Sequence, residues 1–353
     1  MRKATIWFLV LSLVTAMTLI GIGCKTETTT ETTAVAETTA AAETTAAAET
    51  TTAAVAKKLT IGHVTIGKYD WYVSLANAMD LIAKKYNTTI YRISSDGDAD
   101  KELTAVEDMI TKGVDGIILG SISAEAAQKA AQKCNEANIP LVIENSSIAE
   151  GPGKAVADIE FDWQSLGKMI ATHISEEQPK SKVLVFTATL GTGPIDYLLK
   201  GWKETITSVG IEQAKLIATN YSTETAMTEM QNTLQSGLDF NVISCHDNSI
   251  SDGVIEALKT SNQLGKYPIY SINVLKEDIA NGNVTASVSY SPGFHGLIVF
   301  LTMYNYLNGK DVKELTYVPM RWITSQNIDE IFKADVDEND IPVAEKYYET
   351  GEY

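Results

Sequence analysis

The sequence predicts an α/β protein built as two doubly wound parallel-sheet lobes. Three observations carry that expectation. From Leu59 onward, short β-branched runs alternate with segments whose apolar residues recur at helical spacing. The runs are apolar almost throughout, which is the pattern of strands covered on both faces. The whole rhythm starts again at residue 181, so a second series follows the first.

In order, LTIGHVTI (59–66) reads as a strand, and a helix from Trp71 to Tyr86 follows with Tyr72, Leu75, Met79, Ile82 and Tyr86 on one face. TTIYRIS is the next strand, then a helix from about Lys101 to Thr111, the strand VDGIILG, a helix from about Ala124 to Asn135 and the strand PLVIENS. The second series opens with SKVLVFTA, followed by a helix from about Gly193 to Val209 and a strand near Lys215 to Thr219. A helix from Thr223 to Gln235, the strand FNVIS, a helix near Ser249 to Lys259 and the strand YPIYSI complete it. In such sheets ligands sit beyond the carboxyl ends of the strands, here the loops at 65–72, 144–147, 190–196, 245–248 and 272–274.

What precedes the folded part reads as an address and a tether. Arg2 and Lys3 lead an apolar run from Ala4 to Gly23, the layout of a secretory signal (1–23), although its length also suits an uncleaved membrane anchor. The run stops at Cys24, and residues 25–58 are nearly all Thr, Ala and Glu, with no apolar face at any helical or strand period. Such a stretch cannot bury enough surface to offset its ordering entropy, so 24–58 is expected to be a disordered stalk whose ends sit about 30–35 Å apart. The net charge of −17 argues against a nucleic-acid partner, which is bound by a basic surface. The other cysteines, Cys134 and Cys245, fall in different lobes and are expected as buried free thiols.

The order of several segments resembles the type 1 periplasmic binding proteins, and among them the ribose-binding-like sugar receptors of ABC importers. The segments are WYVSLANAMDLIAKKY, then DADKELTAVEDMITKGVDGIILGSISAEAAQKAAQKCNEANIPLVIEN, IEFDWQSLGKMIA, CHDNSISDGVIEAL, VTASVSYSPGFHG and WITSQNIDE, spread over roughly 59–332. The resemblance implies a three-crossing hinge, with crossings near Asp162, Tyr290 and Tyr317. Lobe 1 would then hold 59–161 plus 291–317 and lobe 2 would hold 162–290 plus 318–332, leaving 333–353 as an acidic C-terminal tail. Gly21, Ile22 and Gly23 ahead of Cys24 resemble a bacterial lipoprotein signal, which implies lipidation of Cys24 and attachment to the outer face of a membrane.

The resemblance also implies a ligand site. Trp71 and Tyr72 match the family's stacking pair, suited to the apolar face of a sugar ring, and Tyr69 precedes them. Glu144 and Asn145 stand where the sugar receptors carry an Asp-Arg pair, and Asp196 and Leu198 stand where relatives place arginines. His246 and Asp247 replace an Asn-Asp pair, Asn273 replaces an Asp, and Tyr290 replaces a hydroxyl-binding Gln. Asp247 and Asn273 could equally cap the helices that follow them. Trp163 at the first crossing fits hinge packing as well as ligand contact.

Other chemistries fit less well. Asp96, Asp98, Asp100 and Glu107 fall at calcium-loop spacing, but Lys101 occupies the turn-glycine position, so a helix-capping turn is expected and no metal site. GTGPID lacks one glycine of a dinucleotide fingerprint, and neither a phosphate loop nor a hydrolase elbow is present. His63, His173 and His295 occur singly, as core or surface residues do. With those set aside, the expected function is non-catalytic and cofactor-free, and the resemblance implies an extracytoplasmic, lipid-anchored, monomeric receptor that captures a small ligand, a monosaccharide, and delivers it to an ABC permease. A receptor reporting to a chemotaxis or sensor protein, or one for a nucleoside or other flat ring, would use the same lobes.

Overall fold

The computed structural model describes residues 58–353; the apolar leader, Cys24 and the Thr/Ala/Glu stretch up to residue 57 lie outside the described residues. Lobe 1 begins β1 (Thr60–Thr65), α1 (Asp70–Lys85), β2 (Thr89–Ser94), α2 (Ala99–Lys112), β3 (Gly116–Leu119), α3 (Ala124–Glu136), β4 (Leu141–Glu144) and β5 (Ala157–Glu160). Lobe 2 follows with α4 (Trp163–Glu177), β6 (Lys182–Thr187), α5 (Gly193–Val209), β7 (Glu212–Ala218), α6 (Thr223–Ser236), β8 (Val242–Cys245), α7 (Asn248–Thr260), β9 (Ile269–Ile272), α8 (Lys276–Ala280) and β10 (Ala286–Ser289). The chain then adds α9 (Pro292–Leu307), β11 (Leu315–Tyr317), β12 (Arg321–Thr324), a 3-10 turn (Ile328–Glu330) and α10 (Asp340–Thr350).

Two six-stranded sheets result, in the orders β11-β5-β4-β3-β1-β2 and β12-β10-β9-β8-β6-β7. The first is parallel throughout, and the second is parallel except for β12 against β10. Alternation along each strand divides the apolar residues of lobe 1 between two layers. Ile118 and Val142 face Leu75, Met79, Ile82 and the apolar side of α9, whereas Ile117, Leu119, Leu141 and Ile143 face Val106, Met109 and Ala130. Lobe 2 forms one core around Val185, Phe186, Trp202 and Ile243. Asp98 caps α2 by accepting from the backbone N–H of Asp100 and Lys101, so the acidic run is a capping turn. No group of three metal-ligating residues occurs among the described residues. Nor is any described helix long and apolar enough to cross a membrane.

The chain passes between the sheets from β5 to α4, from β10 to α9 and from β11 to β12. The resemblance implied those three crossings alone, but the chain makes a fourth. After the 3-10 turn, residues 332–339 lead back to lobe 1, where α10 lies on α9 with Ile341 and Ala344 buried. The N–H of Phe332 donates to Ser289 Oγ (3.0 Å) and that of Gly293 donates to Ala334 O (3.0 Å), tying this stretch to the β10–α9 crossing. Although 333–353 is acidic in composition, it is no free tail. Its end gathers aromatic rings, with Tyr353 at 5.0 Å from Phe294 and 4.9 Å from Phe332, and the Arg321 guanidinium 5.1 Å from the Tyr353 ring. Cys134 and Cys245 are buried free thiols, each pushed up by burial, Cys134 to about 12.

Candidate functional site

A cleft of about 410 Å³ lies between the lobes. Lobe 1 supplies Trp71 and Ser74 from the first turns of α1, and lobe 2 supplies Asn273, Lys276 and Tyr290 from beyond the ends of β9 and β10. Both contributions come from carboxyl ends of parallel strands, where the fold leaves backbone and side chains free of the sheet.

Trp71 stands in a ring cluster, edge-on to Tyr72 (4.8 Å between centroids), His295 (5.6 Å) and Phe161 (6.5 Å). His295 donates or accepts at Nε2 against Ile159 O, 3.1 Å away; since a carbonyl only accepts, the proton sits on Nε2. Burial pushes its imidazole down to about 4, which keeps it neutral behind Trp71. Tyr290 packs against Phe161 (4.4 Å) and Trp163 (5.9 Å), and Tyr290 and Trp163 touch the cores of both lobes. Trp163 packs at the first crossing and is not among the residues lining this cleft. Asn273 adopts a left-handed backbone (φ 51°) and its Oδ1 accepts from the N–H of Tyr290 (2.8 Å). It caps no helix, since α8 starts three residues later with Leu275 at its cap position.

Around this lining stand polar groups that act on one another across the lobes. The Tyr72 phenol is raised by burial, then by the Glu144 carboxylate and by Tyr221 of lobe 2. Tyr290 is raised by burial, Asp247 and Tyr221, and Asp247 itself is raised by burial. Asp247 caps α7, accepting from the Ser249 N–H and hydroxyl. Glu144 is 1% exposed, with Oε1 at 3.1 Å from His63 Nε2 and Oε2 without a partner. Asn145 turns the chain at φ 45° and leaves Oδ1 buried and unpartnered.

Three of the expected residues stand elsewhere. Tyr69 is 68% exposed and touches the group only through the Tyr72 ring, 6.5 Å away. Asp196 is exposed, accepts from the Gly191 N–H (3.1 Å), and lines a separate surface hollow with Leu190 and Lys200. His246 faces inward, 3.1 Å from Thr187 Oγ1 and 6.4 Å from the Trp202 ring, with burial pushing it down to about 3. Tyr221 was missed by the sequence reading. It sits at φ 61° in the loop between β7 and α6, also at the carboxyl end of a parallel strand, which is the signal that could have found it.

Known proteins share this chain's family and fold. The model of the family described as "Periplasmic binding protein domain" matches residues 61–311. The ribose import binding protein RbsB of Bacillus subtilis (strain 168) is 22% identical over 275 residues, covering 76% of this chain and 88% of that protein. The ABC transporter periplasmic-binding protein YphF of Escherichia coli (strain K12) is 24% identical over 284 residues, covering 76% and 86%. Among solved structures, an ABC transporter solute binding protein from Bacillus halodurans C-125 with bound myo-inositol superposes with a TM-score of 0.70 at 20% identity, covering 77% of this chain and 96% of its own. A periplasmic ribose ABC transporter protein from Conexibacter woesei superposes at 0.71 with 19% identity, covering 77% and 93%. At that identity the structural likeness establishes the two-lobed fold.

Proposed function

The chain belongs to the periplasmic binding protein family, whose members work outside the cytoplasm, and from that premise we propose that it captures a monosaccharide or similar small polyol between its lobes and delivers it to an ABC permease. The observation that carries the reading is the cleft itself. Its volume of about 410 Å³ lies in the range of small-molecule sites, and it combines an indole face at Trp71 with hydrogen-bonding groups at Ser74, Asn273 and Tyr290. The names of the relatives support the sugar class: RbsB for ribose, and the structure with bound myo-inositol. The lining contains one acid, Asp70, and one base, Lys276, and Lys276 is paired with Asp329 at 2.5 Å, so the cleft carries no excess of positive charge for a carboxylate or phosphate. Neutral ligands are therefore favoured over sugar acids and sugar phosphates.

The mechanism is binding coupled to closure. A ligand that contacts α1 of one lobe and the β9–β10 ends of the other binds the closed arrangement better, and its differential affinity shifts the population toward it. The permease then recognises the closed form. Anchoring through a diacylglycerol on Cys24 and work as a monomer complete the proposal.

The experiment is a panel of D-ribose, D-allose, myo-inositol and their phosphorylated forms, read by tryptophan fluorescence and melting temperature. A neutral member at a hundred times its Kd should stabilise the protein by about 2.7 kcal/mol. A panel in which no neutral member shifts either signal overturns the sugar reading. Lipidation is tested separately by the mass and first residue of the mature chain, which should be acylated Cys24.

A further inference from the structure

The cleft has a third wall, built from a stretch of chain that the family match does not reach. Beside α1 and the β9–β10 ends, its lining includes Pro292, Ile331, Phe332 and Ala334. The last three follow the 3-10 turn, past residue 311 where the matched stretch ends. This segment is tied to the strand end beside it. The Phe332 N–H donates to Ser289 Oγ (3.0 Å), and Ser289 itself lines the cleft. Ala334 O accepts from the Gly293 N–H (3.0 Å) and from the Ser291 hydroxyl (3.4 Å). Gly293 permits the close approach, since a Cβ there would stand 2.7 Å from Ala334 O.

Phe332 is also held from behind. Its ring meets the Tyr353 ring at 4.9 Å and 61°, and the Arg321 guanidinium lies 5.3 Å from its centre. Arg321 is fixed in turn by Glu330, whose carbonyl accepts from Nη1 at 3.3 Å and whose carboxylate lies 3.6 Å away. Ile331 and Phe332 line both the cleft and a hollow of about 160 Å³ that also holds Arg321 and Tyr353, so they are the partition between the two. Pro292, Ile331, Phe332 and Ala334 carry no side-chain donor or acceptor, and the Phe332 N–H and Ala334 O are already engaged within the protein. The polar side chains of the lining, Ser74 and Asn273 among them, stand on the other elements. A ligand hydroxyl pressed on the partition would lose its water and gain no partner, whereas a methyl group there is favourably buried.

We propose that this apolar wall, with Phe332 held in place by Arg321 and Tyr353, determines the specificity of the cleft, and that it selects sugars with an apolar edge, the 6-deoxyhexoses, over the parent hexoses. The inference rests on the sugar-binding reading and names the class of sugar. In a 6-deoxyhexose a methyl group replaces the hydroxymethyl arm. The ring keeps its hydroxyls for Ser74, Asn273 and Tyr290 while the methyl meets Phe332. A surface that offers the additional hydroxyl no partner separates such a pair by about ten- to a hundred-fold.

The test is calorimetric titration of the full chain with matched pairs: D-fucose and D-galactose, L-fucose and L-galactose, L-rhamnose and L-mannose, 6-deoxy-D-glucose and D-glucose. In the pair that binds best, the deoxy sugar should bind at least about ten-fold tighter than its parent. A smaller ratio overturns the proposal and leaves the sugar reading standing. Phe332→Ala opens the partition and Ile331→Gln places an amide in it, and each should lower that ratio at least about three-fold. Melting curves check that the variants fold, and where one does not, the other decides. A ratio unchanged in the folded variants overturns the role of the wall. Binding of D-ribose, D-allose or myo-inositol with none of the paired sugars overturns the deoxy-sugar class alone, whereas silence from every sugar overturns the sugar reading with it.

Discussion

Asp158 and Glu160 lie on β5 at the approach to the first crossing, and burial pushes them up to about 6 and about 7, with Asp158 and Asp162 adding to the shift of Glu160. In an unfolded chain they titrate near 3.9 and 4.3, so the folded state favours their protonated forms. Their contribution to stability is complete below about pH 4 and is lost as pH rises through 6 to 7. The melting temperature should therefore fall between about pH 4 and pH 7, and Asp158→Asn with Glu160→Gln should flatten that slope; an unchanged slope in the double variant would assign it to the other acids. Trp71→Ala should weaken binding of a sugar found by the panel by about 1–3 kcal/mol, through lost stacking and burial, as measured by calorimetry. The sequence located the strand ends but not which neighbour at each end looks into the cleft. Of the pair at 246–247, which follows β8, His246 packs on Trp202 whereas Asp247 caps α7 and raises Tyr290. Asp196 is displaced for a related reason, since the first turn of α5 aims it back at the Gly191 N–H.

Helices α4 and α5 approach closely enough that each carries a glycine against the other's backbone. A Cβ on Gly201 would stand 1.9 Å from Gln164 O, and one on Gly167 would stand 2.0 Å from Leu198 O. Gly201→Ala or Gly167→Ala must push the helices apart and should cost about 1–3 kcal/mol, read from chemical denaturation with an unchanged m-value. A Gly201→Ala variant as stable as wild type would mean that the pair can separate freely. The helices with one apolar face were legible from their spacing. The sequence could not frame α9 that way, because it is buried on nearly every side: Phe294, Leu297, Ile298, Val299, Phe300 and Leu301 all lie in the core, and an all-apolar helix has no period to read. Strands β11 and β12 were missed because three or four residues at a sheet edge are too short to show alternation.

At the scale of the molecule, the fourth passage changes what closure involves. Residues 332–339 run beside the β10–α9 crossing, and Tyr353 brings together Phe294 of lobe 1 and Arg321 of lobe 2. Removing residues 333–353 uncovers α9 where Ile341 and Ala344 sit, and should lower the melting temperature by several degrees at about 2–4 °C per kcal/mol. The same truncation should alter the affinity for a sugar identified by the panel, because the hinge loses one of its ties; unchanged melting and binding would show α10 to be a passive cover. The two lobes were legible as two strand-helix series, whereas α10 was hidden by its acidic composition. Lobe 1 takes its parts from the first third of the folded chain, from α9 and β11, and last of all from α10. The core of the first lobe therefore cannot close until Ile341 and Ala344, far along the chain, have been made, so the lobe that begins first is completed after the whole of lobe 2.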